Sequence, residues 1–343
     1  MNLRLSHFKR LFVLLVFCCI ISACSSSIHK EFLTSFASDS KNSDGSFTNL
    51  IVSLAYNDKE KYLAVGHESG HIDIWDAKEA RSKREIKAHA YRANLISFTT
   101  NGNSFFSNSD FEESTKLWSA KTGELLFSIP DTRGPVCATP DDNIYLIPTS
   151  ESSTVRFFDF ARTIVLPEVY TSSGVIQVMA MDKASKQIAI GTASGTLEVW
   201  KFSRVGRKLS LQKTAAAKPY ATGDWVVGLQ FSPGGESLYS VASSGLIDEW
   251  ASITLQKQRS LSTTLGRIQS ATFLKNTSLV ALAGAVDKQG FGAGIVELLS
   301  LSTGRSTKYH TNINFPVAEF VPSLSSLIIA QYRSSQVYLL KDK

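Results

Sequence analysis

The four cysteines are the residues whose type and spacing most directly indicate chemistry. Cys18, Cys19 and Cys24 lie within or directly after an apolar stretch close to the N-terminus, whereas Cys137 stands alone in the rest of the chain. A thiolate is a strong nucleophile that can be acylated, alkylated or oxidised. Cys24 follows Ser22 and Ala23, whose small side chains would leave its thiol accessible to a modifying enzyme.

The segment before Cys24 has the layout of an export signal. Arg4, Lys9 and Arg10 give a positive beginning, and an apolar run of about ten residues follows from Leu11 to Ile21. This run is far shorter than the ~20 apolar residues that a membrane-spanning helix needs. We therefore predict that residues 1–23 are a cleavable signal peptide.

The tetrapeptide Ile21-Ser22-Ala23-Cys24 resembles the lipobox of bacterial lipoproteins. The resemblance implies cleavage before Cys24, a diacylglycerol on its thiol and a lipidated tether at residues 24–27. Ser25 stands where aspartate commonly retains such proteins in the inner membrane, so the resemblance favours the outer membrane, facing the periplasm. The alternatives are an ordinary signal peptide with a chance cysteine and an uncleaved helix.

Cysteine use and charge limit the class of protein. If the signal is removed and Cys24 carries lipid, Cys137 has no partner for a disulfide, and burial alone must stabilise the fold. Three of the 36 basic residues precede residue 24, which leaves 33 basic against 30 acidic residues in the mature chain. This balance and the predicted export argue against a nucleic-acid partner.

Three stretches of the chain repeat one hairpin pattern. Gly70, Gly195 and Gly245 each stand five residues before a tryptophan, and apolar residues alternate with polar ones around them. Glycine supplies the positive φ that a tight turn between two strands needs. The same register recovers seven repeat anchors in all, which are the last apolar residues of the second strands of these hairpins. The anchors are Trp75, Trp118, Phe158, Trp200, Trp250, Leu299 and Leu340.

The anchors are 40–50 residues apart, and a further apolar strand lies about 20 residues before most of them. Four short strands per repeat, with a tryptophan and an acid at Trp75-Asp76, resemble the WD-repeat (WD40) family over about residues 48–341. The resemblance implies an all-β, seven-bladed β-propeller that occupies residues 28–343. A two-sheet β-sandwich with chance spacing is the alternative.

The last repeat lacks a fourth strand, because the chain continues only three residues past Leu340. An open edge would leave backbone hydrogen bonds unpaired. WD-repeat propellers usually close such an edge with a strand from the other terminus. We therefore predict that residues 28–36 form the N-terminal strand that closes the last blade.

The histidines give little indication of catalysis. His67 and His71 are four residues apart, but across a turn, and no Cys or acid cluster joins them, so we expect solvated turn residues and no metal or cofactor. WD repeats often contain a buried hydrogen-bond network of histidine, serine, an acid and tryptophan. Only His89 stands in the matching place, where it would pair with Ser107 and Trp118; Glu112 or Asp110 would supply the acid.

Two departures from the repeat length indicate a candidate partner-binding face. The 50-residue interval between the anchors Trp200 and Trp250 contains residues 213–225, which we expect to form a long link between two blades. The 49-residue interval between Trp250 and Leu299 contains an extended hairpin at residues 287–294. Both loop types emerge on one face of a propeller. The exposed aromatic and cationic side chains expected there are Lys218, Tyr220, Trp225, Lys288 and Phe291.

These observations favour a membrane-anchored envelope scaffold that binds other envelope proteins and is not an enzyme. One alternative is an outer-membrane assembly factor resembling the lipoprotein propeller of the β-barrel insertion machinery, although that protein has eight blades and a different repeat. Another is a quinoprotein-like or hydrolase-like propeller enzyme. Three or more acids or histidines converging on the central channel would favour the enzyme.

Overall fold

β-Strands are the regular elements of this protein, and no helix occurs in the described part of the chain. The structure is a computed structural model that describes residues 50–341 with gaps at 78, 80, 110, 141, 152, 207, 275–276, 288–293, 311–315, 322–325 and 332–336. The predicted signal peptide, Cys24 and residues 28–36 lie outside the described residues. The described segments contain no helix of the length and hydropathy that crossing a membrane requires.

The strands form six four-stranded antiparallel sheets, here called blades 1 to 6, and one three-stranded sheet. Blade 1 contains β1 (Ile51–Asn57), β2 (Tyr62–His67), β3 (His71–Asp76) and β4 (Arg81–Lys87). Blade 2 contains β5 (Leu95–Phe98), β6 (Ser104–Ser109), β7 (Glu112–Ser119) and β8 (Leu125–Pro130). Blade 3 contains β9 (Cys137–Ala138), β10 (Ile144–Pro148), β11 (Thr154–Asp159) and β12 (Ile164–Thr171).

Blade 4 contains β13 (Ile176–Asp182), β14 (Gln187–Thr192), β15 (Leu197–Val205) and β16 (Lys208–Ala217). Blade 5 contains β17 (Val226–Phe231), β18 (Ser237–Ala242), β19 (Ile247–Ala251) and β20 (Lys257–Leu261). Blade 6 contains β21 (Arg267–Phe273), β22 (Leu279–Ala285), β23 (Gly294–Ser300) and β24 (Ser306–His310). The three-stranded sheet contains β25 (Pro316–Val321), β26 (Ser326–Gln331) and β27 (Val337–Lys341).

The prediction of a seven-bladed propeller is wrong. The described residues form six four-stranded blades, and the remaining sheet has three strands, with no fourth described strand beside β27. The reason is that an anchor marks the third strand of a repeat and carries no information about a fourth. The predicted closing strand, residues 28–36, falls on residues that the structure does not describe.

The anchors occupy equivalent places on the third strands. Trp75, Trp118, Trp200 and Trp250 are buried, as are Phe158 and Leu299, and Leu340 lies on β27. Each buried anchor faces a buried apolar residue of the second strand, for example Leu63 opposite Trp75. At each of the four tryptophans the pairing with the outer strand shifts by one residue. Such a bulge bends the outer strand and makes room beside the large ring.

The sheets pack face to face around a ring. The first strand of one blade contacts the first strand of the next at most junctions, and β25 contacts both β21 and β1. Blades 2 and 3 pack through aromatic side chains: the Phe106 ring lies 4.8 Å from Tyr145 and 6.1 Å from Phe158, centroid to centroid. Burial of these apolar faces is the main stabilising contribution, since the described residues contain no disulfide and Cys137 is a free, buried thiol.

The long spacing between Trp200 and Trp250 has a different origin from the one expected. Residues 213–217 are not part of a link; they continue β16, which pairs with β15 from Leu197 to Val205. The alternating apolar residues of β15 and β16, such as Leu209 and Leu211, are buried and support this longer hairpin. The link between blades 4 and 5 is therefore residues 218–225.

Candidate functional site

One face of the ring collects two kinds of loop and is here called the loop face. It contains the links between successive blades and the hairpins between second and third strands. Backbone hydrogen bonds join the two kinds of loop: the His89 amide donates to Gly70, and the Ser243 amide donates to Trp225, at 3.0 and 2.9 Å. Gly70 and Gly245 have φ values of +84° and +93°, as the repeat predicts for the turn glycines.

These glycines also permit close approach of the links. A Cβ on Gly70 would lie 2.2 Å from the His89 carbonyl oxygen, and one on Gly245 would lie 2.3 Å from that of Leu265. Real Cβ atoms do not approach backbone so closely, so any other residue would push the link outward. The hairpin turns thereby hold the links in defined positions on the loop face.

The predicted partner-binding residues differ in their exposure to solvent. Lys218 and Trp225 are exposed on the loop face, with Trp225 37% exposed. Tyr220 is 3% exposed and is not available to a partner, contrary to the prediction. Its hydroxyl is within 2.6 Å of the Ser240 hydroxyl, so it belongs to the interior of blade 5. Lys288 and Phe291 lie outside the described residues.

Four loop-face residues are here called the Trp225 cluster: the exposed Trp225, Leu246 and Val286 and the half-buried Arg267. The guanidinium carbon of Arg267 is 4.3 Å from the centroid of the Trp225 ring, a cation–π contact. Leu246 and Val286, on the adjacent hairpins, are 50% and 56% exposed. Arg267 and Val286 are neighbours because Arg267 pairs with Ala285 across β21 and β22.

A second exposed group, the Tyr91 cluster, contains Tyr91, Arg92 and Phe111. The two rings are 5.5 Å apart, and the Arg92 guanidinium lies 5.7 Å from the Phe111 ring. Arg92 also forms an ion pair with Glu68 at 3.0 Å. A cleft of about 170 Å³ lies between blades 2 and 3 and is lined by residues that include Leu95 and Val136.

The network predicted around His89 is confirmed. Nδ1 of His89 is 2.8 Å from the Glu112 carboxylate, Nε2 is 2.8 Å from the Ser107 hydroxyl, and the Trp118 indole N–H donates to Ser107 at 2.9 Å. A carboxylate only accepts, so Nδ1 carries the proton, and the Ser107 hydroxyl donates to Nε2. This chain of hydrogen bonds connects the link that contains His89 to Trp118, the anchor of blade 2.

Burial determines the charge state of this network. Burial lowers the pKa of His89 below its ordinary value of 6.5, and the Lys116 ammonium adds to this, against the opposing effect of Glu112. For Glu112, burial raises the pKa, but hydrogen bonds from the Ala90 amide, Lys116 and His89 outweigh it and lower the pKa to about 2. The pair is therefore a neutral imidazole hydrogen-bonded to a carboxylate at neutral pH.

Sequence reasoning missed a recurring buried carboxylate two residues before the anchor. The residues at this position in four blades are Asp73, Glu198, Asp248 and Glu297, and all four are buried. Glu198 accepts from the Trp200 indole N–H, from the Ser173 amide at 2.8 Å and from Lys213 at 2.8 Å. Glu297 accepts from Thr263 at 2.8 Å and from the Thr264 amide at 3.2 Å.

Two of these carboxylates, Glu198 and Glu297, hold the incoming links. Ser173, Thr263 and Thr264 all lie in links, so Glu198 and Glu297 attach their blade's third strand to the link that precedes it. Burial raises the pKa of Glu198, yet the hydrogen bonds from Lys213, Ser173 and Trp200 outweigh it and lower the pKa overall. The signal was present in the sequence as an acid that alternates with apolar residues in front of several anchors.

Blade 5 uses a tyrosine where blade 2 uses a histidine. The Ser240 hydroxyl contacts the Tyr220 hydroxyl at 2.6 Å and accepts from the Trp250 indole N–H at 2.7 Å. Burial raises the pKa of Tyr220, so its hydroxyl stays protonated. Because blade 5 has a tyrosine at this position, a sequence search for the histidine, serine and tryptophan pattern does not detect its network.

The remaining candidate residues do not assemble into a catalytic or metal-binding group. His67 lies buried in β2, 3.0 Å from the Asp73 carboxylate, which contradicts the expectation of a solvated turn residue. His71 contacts Ser69 at 3.1 Å. Burial raises the pKa of the Cys137 thiol to about 12. Within the described segments no group of three or more His, Cys, Asp or Glu side chains could hold a metal ion.

Comparisons with known proteins support the same architecture. Residues 35–101 match the family model of the anaphase-promoting complex subunit 4 WD40 domain. The β-propeller domain of Cps50 (Swd1) from Myceliophteria thermophila is a similar solved structure, with a TM-score of 0.68, 15% sequence identity, and coverage of 87% of this chain and 98% of that chain. The described chain therefore has the fold of a WD40 β-propeller.

Similar curated proteins are much longer than this chain. Human apoptotic protease-activating factor 1 is 24% identical over 204 residues, which cover 59% of this chain and 16% of that protein. The Drosophila melanogaster homologue of retinoblastoma-binding protein 5 is 30% identical over 176 residues, 49% of this chain and 35% of that protein. Mouse telomerase protein component 1 is 20% identical over 263 residues, which cover 76% of this chain and 9% of that protein.

The buried imidazole of His89 predicts a loss of stability in mild acid. A histidine whose pKa is lowered by folding binds its proton more tightly in the unfolded chain, so stability falls as the pH drops below about 6.5, by up to about 1.4 kcal/mol per pH unit for one proton. We expect His89→Gln to flatten the fall of the thermal unfolding midpoint between pH 7 and pH 5.5.

The matched control is Ser107→Ala, which removes hydrogen bonds of the same network but keeps His89 buried. It is expected to lower the midpoint at every pH, because an unpaired buried polar group lowers the free energy of unfolding by about 1–3 kcal/mol. The dependence of the midpoint on pH should remain, since His89 is still buried. An unchanged pH profile in His89→Gln would show that His89 does not determine the acid sensitivity.

Proposed function

We propose that this protein is a lipid-anchored envelope protein whose WD40-type propeller binds other envelope proteins on its loop face. One observation carries the proposal: among the side chains whose exposure the structure describes, the three exposed aromatic ones, Tyr91, Phe111 and Trp225, all lie on the loop face. Aromatic residues and arginine are enriched at protein interfaces and often dominate the binding energy. Each of the two exposed clusters combines both residue types.

The rest of the surface supports this choice of face. The other exposed large apolar side chains include Leu125, Leu126, Ile164 and Val169 on the outer strands, and none of these is aromatic. The outer strands β8 and β12 contain Pro130 and Pro167, which cannot donate to a further strand. These edges are therefore poorly suited to binding an additional strand, whereas the loop face presents side chains of several blades together.

The innermost strands supply few groups for catalysis. In the described innermost strands, β1, β5, β9, β13, β17, β21 and β25, the acidic residues are Asp182 and Glu319, and there is no histidine. Asp182 accepts hydrogen bonds from the Ala184 and Ser185 amides, so it stabilises a turn. This is fewer than the three converging groups that would favour an enzyme, and it supports binding as the function.

Two of the matched names refer to parts of assemblies. The family model belongs to a subunit of the anaphase-promoting complex, and one relative is named a telomerase protein component. These names describe those proteins. For this chain they support the choice of a binding scaffold among the functions that a propeller can serve.

The membrane anchor is part of the proposal and rests on the N-terminal sequence. A positive segment, a short apolar run and the lipobox-like Ile21-Ser22-Ala23-Cys24 support a signal peptide at residues 1–23 and acyl chains on Cys24. Two or three acyl chains at ~0.8 kcal/mol per buried CH₂ would hold the protein at a membrane almost permanently. Outer-membrane attachment facing the periplasm is the location that Ser25 favours.

Substitution of Cys24 tests the anchor. In a host that processes lipoproteins, we expect Cys24→Ser to abolish incorporation of labelled palmitate and to leave the chain at precursor mass, because the thiol that accepts the lipid is gone. Cys19→Ser is the matched control and should be labelled as the parent is, since Cys19 lies inside the predicted signal peptide. Equal labelling of the Cys24→Ser protein would exclude Cys24 as the lipid attachment site.

Capture of partners tests the loop face. We expect the double variant Tyr91→Ala/Trp225→Ala to recover at least tenfold less of the envelope proteins that cross-link to the parent chain, because both exposed clusters lose their central ring. The control Leu125→Ala/Leu126→Ala removes two similarly exposed side chains from an outer strand and should recover the same proteins as the parent. Equal losses in both variants, or none in the first, would contradict the proposal.

A further inference from the structure

We infer that the Trp225 cluster binds an acidic segment of a protein partner, in which a carboxylate pairs with Arg267 and a neighbouring apolar side chain packs on Trp225, Leu246 and Val286. The inference rests on the proposed function and adds the chemistry of the partner. Arg267 is the first residue of β21, so its side chain leaves the sheet at the loop-face end of an innermost strand.

Arg267 has hydrogen-bonding capacity that the described structure does not use. Its guanidinium stacks on Trp225, but no described carboxylate forms an ion pair with it. Other arginines with ring or link contacts are already paired, Arg92 with Glu68 and Arg259 with Glu249. A guanidinium stacked on an aromatic ring keeps its N–H edge free, and that edge matches a carboxylate in a two-point contact.

The ring and the guanidinium are held in position by backbone hydrogen bonds. The Ser243 amide donates to the Trp225 carbonyl, and the Ile268 amide donates to the Ser243 carbonyl, both at 2.9 Å. This chain of bonds connects the link before blade 5, the hairpin of blade 5 and the first strand of blade 6. A binding site whose side chains are preorganised loses less conformational entropy when a partner binds.

The hydrogen-bonding groups that remain available near Trp225 favour an acidic partner over a basic one. Lys218, in the same link as Trp225, is exposed and forms no ion pair with a described residue. Asp224 is engaged by the protein itself: the Ser243 hydroxyl donates to one carboxylate oxygen at 3.0 Å, and the Ser244 hydroxyl donates to the other at 2.6 Å. Asp287 also has an interaction partner of its own. The available hydrogen-bonding groups of the cluster are therefore donors.

The Tyr91 cluster provides the contrast within the same molecule. Its arginine, Arg92, is likewise close to an aromatic ring, but Glu68 already neutralises it at 3.0 Å. An incoming carboxylate would have to displace that ion pair. The control for Arg267→Gln is Arg81→Gln, which removes an exposed guanidinium from the outer strand β4, outside the loop face. Only Arg267 is expected to contribute to binding an acidic segment.

The test uses a library of random twelve-residue peptides displayed on phage and selected against the full chain, purified in detergent. We expect the enriched peptides to contain Asp or Glu next to Leu, Ile, Phe or Trp. A synthetic peptide of an enriched sequence should bind the parent and the Arg81→Gln variant equally and the Arg267→Gln variant at least tenfold more weakly. Its copy with Asn and Gln in place of the acids should also bind at least tenfold more weakly.

Each other result overturns the inference. These results are a failure to enrich any sequence, enrichment of basic or uncharged peptides, and equal binding to the Arg267→Gln and Arg81→Gln variants. Circular dichroism and thermal unfolding establish that both variants are folded, and Arg267→Lys, which keeps the charge but loses the two-point contact, should bind with intermediate affinity. Partner capture that depends on the loop face but not on Arg267 would leave the proposed function standing and remove this inference.

Discussion

Hydrogen bonds from the links to buried polar groups of the blades are the interactions on which the loop face depends. Apolar packing of the anchors is sufficient to build blades, but it does not determine where a link runs between them. Glu112, Glu198 and Glu297 each accept hydrogen bonds from a backbone amide of the preceding link. An unpaired carboxylate in these buried positions would be costly, so the link must follow the path that satisfies it.

This arrangement explains how a repeat with weak sequence identity can present a defined surface. The buried partner varies from blade to blade: an imidazole and a carboxylate in blade 2, a carboxylate alone in blade 4, and a tyrosine hydroxyl in blade 5. In each case the polar group of the link is paired inside the blade, and neighbouring side chains of the same link point to solvent. Tyr220 and Trp225 illustrate this division within one link, since the first is buried and the second is exposed.

Much of the blade architecture could be predicted because it repeats. The spacing of Trp75, Trp200 and Trp250 from their turn glycines indicated the second and third strands, and the His89 network followed from a family pattern. The fourth strand was not predictable in the same way, since outer strands such as Arg81–Lys87 are largely solvent-exposed and carry no strict apolar pattern. For that reason the number of anchors did not give the number of complete blades.

The candidate site was only partly predictable, and the reason is physical. A tyrosine in a loop is amphipathic and gives no indication from sequence whether its ring faces a core or a partner. Tyr220 became buried because the Ser240 hydroxyl, which also accepts from the Trp250 indole N–H, offered its hydroxyl a partner inside blade 5. Arg267 was missed because it lies at the start of a strand, and its proximity to Trp225 depends on the packing of blade 5 against blade 6.

The central claim is that partners bind the loop face of the propeller and not its outer strands. Photo-cross-linking in living cells tests this most directly, with a photoreactive residue introduced singly at Leu246 or Val286 on the loop face and at Leu125 or Ile164 on the outer strands. All four side chains are exposed, so accessibility to the reagent is matched. The account predicts cross-links to envelope proteins from the two loop-face positions only, and cross-links that form mainly from the outer strands would contradict it.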